Sequence, residues 1–146
     1  MMEKIAVLDF GGQYAHLIAN RIRRLGVYSE IVSSDIAASQ LAGYKGIILS
    51  GSPFSVLDKQ SPEFDSGLLE LKLPVLGLCY GHQLLARKLG GAVCKGAKRE
   101  YGRAIISISA ESPLLDGLQG TEQVWMSHGD AVEKIQIGRA SCRERV

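Results

Sequence analysis

Gly77-Leu78-Cys79-Tyr80-Gly81 sets a thiol between two glycines at the junction of two different patterns. The apolar run Leu73-Pro74-Val75-Leu76-Gly77-Leu78 reads as a strand. The segment from His82 to Leu89 reads as a helix. A Gly-x-Cys-x-Gly spacing at a strand-to-helix turn is the thiol counterpart of the nucleophile elbow. Glycines are needed there because the turn is strained and neighbouring Cβ atoms would collide. A helix N-terminus beneath the sulfur is expected to favour the thiolate, the reactive form. A cysteine in such a turn can also be an inert, buried small hydrophobe. The paired glycines weigh toward the nucleophile.

The elements that would hold this turn alternate along the chain. Strand-like runs fall at 4–8, 30–32, 46–50, 74–78, 92–94 and 104–109, and helix-like runs at 13–25, 63–71 and 81–89. Tyr14, Leu17, Ile18, Ile22 and Leu25 share helical spacing and are expected to pack on a sheet, with Gly26 as the stop. Continuous apolar strands alternating with amphipathic helices predict an α/β fold. Its sheet is open, mostly parallel and flavodoxin-like, with helices on both faces. Functional residues then belong at the C-terminal ends of strands. Asp9 to Gly11, Ser50 to Ser52 and Cys79 all fall at such ends.

Composition narrows the classes further. The 146 residues are 46% hydrophobic and 22% charged, which fits one domain with a real core. Seventeen basic residues against fifteen acidic ones give a net charge of +2, too little to argue for nucleic acid or an anionic membrane. No apolar run is long enough to span a bilayer, and the N-terminus leads into a strand with no signal-peptide pattern. Cysteines at 79, 94 and 142 show no metal-ligand spacing and suit a reducing cytoplasm. No metal site is expected.

Leu78-Cys79-Tyr80-Gly81-His82-Gln83 resembles the nucleophile motif of class I glutamine amidotransferases. Three further segments agree in order. They are Asp9-Phe10-Gly11-Gly12-Gln13-Tyr14, Ile47-Ile48-Leu49-Ser50-Gly51-Ser52-Pro53, and Val124-Trp125-Met126-Ser127-His128-Gly129-Asp130. The first and last of these resemble the glutaminase domains of the GMP synthetase family, and the similarity runs over roughly residues 4 to 135.

The resemblance implies Cys79 as nucleophile and the backbone N–H of Tyr80 as one oxyanion donor. It places a second backbone donor at Ser52, beside Gly51, where the family usually has Ser-Gly-Gly-Pro. It implies glutamine contacts from Gln83, from the loop Ser127-His128-Gly129, and from Tyr101. The partners implied are glutamine and a synthetase domain, on this chain or another. That domain would use ATP and Mg to turn xanthosine monophosphate into GMP; no cofactor is implied for the glutaminase part. A homo-oligomer and a cytoplasmic location follow from the same likeness. Another class I amidotransferase of the anthranilate synthase type, and a non-catalytic flavodoxin-like binding module, remain alternatives.

The base is the gap. The chain has His16, His82 and His128 only, and no His-Pro-Glu, the motif that supplies the family's base and carboxylate. His16 has the spacing of a solvated helix residue, and His82 is expected to point away from the sulfur. The expected organisation is an incomplete amidotransferase domain over residues 1–136 and a non-native tail over 137–146. That tail has no periodicity and reads as translated sequencing-adapter DNA, so Cys142 is expected to carry no function.

Overall fold

In the computed structural model, residues 2–108, 113–118 and 120–134 are described; the side chains of 95–101, 113 and 126–134 are not. The expected tail at 137–146 lies outside the described residues.

The chain opens with strand β1 (Lys4–Asp9), helix α1 (Ala15–Arg24) and strand β2 (Tyr28–Ser33). Strand β3 (Gly46–Leu49), strand β4 (Val75–Gly77) and helix α2 (Tyr80–Lys88) follow. The four strands form one all-parallel sheet in the order β2-β1-β3-β4. The chain reverses its direction across the sheet between β1 and β3, the kind of switch point where α/β sheets open a crevice.

Side chains alternate across the sheet, as strand geometry requires. Ala6 and Leu8 of β1, with Ile47 and Leu49 of β3, join Tyr80 and Leu84 of α2 in the larger core. Val7 faces the other way and meets Ala15, Ala19, Ile18 and Ile22 of α1. Both faces are therefore covered, and Ala6, Val7 and Leu8 are completely buried. Burying a side chain the size of Leu8 stabilises the fold by about 2 kcal/mol.

The expected strands and helices of the first ninety residues are present with small shifts in their ends. Three expectations change. Tyr14, Leu17 and Leu25 are exposed rather than packed on the sheet. The inward stripe of α1 is instead Ala15, Ile18, Ala19 and Ile22, whose alanines let the helix lie close to β1. The helix does end before Gly26, whose amide donates to the Arg23 carbonyl. The helix expected at 63–71 is a shorter 3₁₀ segment, Ser66–Leu71. It starts only where Asp65 caps the Gly67 amide, and it ends at Lys72 in the left-handed region.

The third change is the largest. The run at 92–94 and residues 104–107 of the next run belong to one strand, β5 (Ala92–Ser107), paired antiparallel with β6 (Thr121–Lys134) in a separate two-stranded sheet. The polar stretch Lys95 to Glu100 has no apolar alternation, so it carries no strand signal, and the pairing shifts register there. Lys95 pairs with Asp130 and Glu100 with His128, so the two ends of the stretch are held by β6.

Candidate active site

The site lies where three neighbouring strands end. β1 runs into Asp9-Phe10-Gly11-Gly12, β3 into Ser50-Gly51-Ser52, and β4 into Leu78-Cys79. Backbone hydrogen bonds extend the sheet one step into these turns. The Ser50 amide donates to Leu8 O, and the Leu78 amide donates to Leu49 O at 2.9 Å. The Ser50 hydroxyl, almost fully buried, also donates to Leu8 O at 2.5 Å.

Cys79 sits at φ +53°, ψ −114°, immediately before the first residue of α2. A non-glycine residue at positive φ is costly and persists only where its surroundings enforce it. Both flanking glycines are enforced by contact. A Cβ on Gly77 would lie 2.7 Å from His82 Cα, and one on Gly81 would lie 2.6 Å from the carbonyl carbon and the Cβ of Leu49. The Gly81 amide donates to Ser50 O at 3.1 Å, which ties the cysteine turn to the end of β3. The cysteine itself is exposed, so a reagent in solvent can reach it.

The expected thiolate is not favoured by these surroundings. Partial burial of the sulfur raises the Cys79 pKa above the ordinary thiol value, and desolvation is the cause.

Gly51 adjoins the cysteine: a Cβ built on it would be 3.8 Å from Cys79 Cβ. Ser52 follows in the same turn, and its hydroxyl accepts from the Phe54 amide at 3.2 Å. Tyr80, as the first residue of α2, has an amide outside the helix's own hydrogen-bond ladder. Its ring is buried, lies 5.4 Å from that of Phe10, and its hydroxyl donates to Pro62 O. Gln83 stands one turn into α2, buried, with its amide donating to Cys79 O at 3.1 Å. Thus Cys79, Tyr80, Gly51, Ser52 and Gln83 gather at one end of the sheet.

Tyr101, Ser127, His128 and Gly129 are arranged differently from the expected loop. Their backbones lie in the β5–β6 ladder, where Tyr101 pairs with Ser127 and Glu100 with His128. Tyr101, Ser127 and His128 thus neighbour one another across two strands, and Gly129 falls where the register shifts. Of the other histidines, His16 is exposed on α1 and His82 is half-buried on α2.

Sequence reasoning missed Gly12. A Cβ there would collide with Gly51 O and lie 2.8 Å from Gly51 C. It lay within the segment Asp9 to Tyr14 that carries the family likeness, without a role of its own. Among the described residues no group of three or more His, Cys, Asp or Glu side chains is placed to hold a metal ion. No helix among them is long and apolar enough to cross a membrane. A shallow depression of about 490 Å³, lined by Met2, Glu3, Arg23, Gly26, Val27 and Tyr28, lies at the opposite end of the strands from Cys79.

Residues 6–142 match the family described as glutamine amidotransferase class-I. The chain is 53% identical over 139 residues to "GMP synthase [glutamine-hydrolyzing]" of Pyrobaculum aerophilum, covering 94% of this chain and 27% of that protein. It is 52% identical over 140 residues to the protein of the same name in Geobacillus kaustophilus, covering 94% and 28%. The chain thus spans about a quarter of the length of the curated relatives it matches. Among solved structures, a putative GMP synthase subunit from Thermoplasma acidophilum superposes with a TM-score of 0.76 at 30% identity. That match covers 94% of this chain and 70% of the other.

Proposed function

The chain belongs to the class I glutamine amidotransferases, and we propose that it is the glutamine-hydrolysing part of a GMP synthetase. The observation that carries the reading is Cys79, held exposed at φ +53° on the N-terminus of α2, with the Gly51 turn against it. A nucleophile and backbone donors at one spot are what amide cleavage needs.

In this reading glutamine binds with its γ-carboxamide beside the sulfur. Gln83, Tyr101, Ser127, His128 and Gly129 contact the substrate. The Cys79 thiolate adds to the carboxamide carbon, forming a C–S bond as the carbonyl π pair moves onto oxygen. The backbone amides of Tyr80 and Ser52 donate to that oxyanion. Collapse restores the C=O bond and breaks C–N; the nitrogen takes a proton and leaves as ammonia. Water then cleaves the γ-glutamyl thioester to glutamate and restores the thiol.

The raised Cys79 pKa makes a base necessary for this chemistry at neutral pH. These 146 residues contain no His-Pro-Glu, so the base of the working enzyme is proposed to come from sequence beyond those given. The ammonia would pass to a synthetase part that uses ATP and Mg on xanthosine monophosphate, in a cytoplasmic homo-oligomer. The test is alkylation of Cys79 by a chloroketone analogue of glutamine. Stoichiometric labelling that free glutamine prevents supports the reading. Labelling indifferent to glutamine would make Cys79 an inert thiol on a binding module.

A further inference from the structure

The segment Asp9-Phe10-Gly11-Gly12 has no part in the reaction just described, yet it touches both sides of the site. We propose that Gly12 is a positioning residue: its bare Cα seats the Gly51 carbonyl and thereby sets the Gly51–Ser52 peptide with the Ser52 amide turned toward Cys79. This rests on the glutaminase reading above, in which the Ser52 amide serves the oxyanion.

The argument is steric and topological. Gly51 O occupies the space that a Cβ on Gly12 would fill, and the Ser52 nitrogen lies 3.4 Å from that same point. The peptide is trans, so its N–H points opposite to its C=O. In the sheet β3 lies between β1 and β4. Gly12 follows β1 and Cys79 follows β4, so a carbonyl aimed at the β1 side turns the Ser52 N–H to the β4 side. The Gly51 Cα agrees with that side, since its Cβ direction comes within 3.8 Å of Cys79 Cβ.

The seat cannot retreat. Asp9 Oδ1 accepts from the Gly11 amide at 2.8 Å, closing the loop on itself. Phe10 is 2% exposed and packs its ring on Tyr80. The carbonyl side is equally fixed, because Ser50 is bonded to Leu8 through both amide and hydroxyl. A methyl group at position 12 must therefore displace the Gly51–Ser52 peptide.

The experiment compares Gly12→Ala with the unmodified chain for alkylation by the glutamine chloroketone and by iodoacetamide, which needs no oxyanion donor. The maximal chloroketone rate should fall about tenfold or more. The half-saturating concentration and the iodoacetamide rate should stay within about twofold of the unmodified chain. An unchanged maximal rate overturns the proposal, and so does an equal fall with both reagents. Should Gly12→Ala not fold, NMR of the unmodified chain answers the same question. On forming the chloroketone adduct, the Ser52 amide proton should shift as it gains a hydrogen bond, while the Gly51 carbonyl resonance holds. A reversal of that peptide on adduct formation overturns the proposal. Failure of the glutaminase reading has its own sign: free glutamine would not slow labelling of the unmodified chain.

Discussion

The amide of Gly81 donates to the carbonyl of Ser50 across 3.1 Å, joining the turn after β4 to the turn after β3. Gly81 can come this close because it carries no side chain; Leu49 backbone fills the place of its Cβ. The nucleophile's turn and the proposed oxyanion turn are thus one bonded unit, and displacement of either is felt by the other.

Gly81→Ala should therefore be among the most damaging single-methyl additions in the chain. The new Cβ meets backbone, which cannot swing aside as a side chain would. A loss of about 3 kcal/mol in urea unfolding is expected. Gly43→Ala, where nothing lies within 4 Å, should stay within about 0.5 kcal/mol of the unmodified chain. Equal stability of the two variants would count against the packing described.

The Cys79 pKa is raised by desolvation, and the direction has two consequences. Its alkylation by iodoacetamide should rise with pH through a midpoint above that of a cysteine in an unfolded peptide. Stability linked to this group is present below the unfolded thiol's pKa, where both states hold the proton. It declines as pH rises toward the folded pKa, because the unfolded state ionises first. Cys79→Ser should remove that decline from the pH profile of urea midpoints. A midpoint below the unfolded value would reverse the assignment.

Leu49 is completely buried at the end of β3, beneath the elbow. Leu49→Ala should cost about 2–5 kcal/mol in the cavity it leaves. The atoms that meet Gly81 are the carbonyl and Cβ of residue 49, which alanine keeps, so Cys79 alkylation by the chloroketone should stay within about twofold. Thermal unfolding and labelling rates, measured together, check both.

Glutaminase activity of the 146-residue chain should be about 100- to 10,000-fold below that of a longer chain carrying a His-Pro-Glu motif. Ammonia release is the readout. Cys79→Ala in the longer chain should abolish it. A 146-residue chain as fast as the longer one would mean that His16, His82 or His128 serves as the base.

Local pattern carried much of this protein. Apolar runs alternating with helical spacing announced the parallel sheet, because a strand buried on both faces must be apolar throughout. Gly77 and Gly81 around Cys79 announced the strained turn, because only glycine fits where backbone meets backbone. What the pattern could not carry was pairing. Lys95 and Glu100 are tied into a long strand by Asp130 and His128 of β6, partners that no local apolar alternation announces. The inward face of α1 was settled by how closely Ala15 and Ala19 approach β1, so Tyr14 and Leu17 stayed exposed despite their spacing. The rise in the Cys79 pKa comes from partial desolvation of the sulfur, which depends on the atoms the fold brings beside it. The place of Gly12 beneath Gly51 joins residues thirty-nine positions apart, and only the β1–β3 pairing brings them together. Composition and short-range spacing are local quantities, whereas burial depth and strand neighbours are properties of the whole fold.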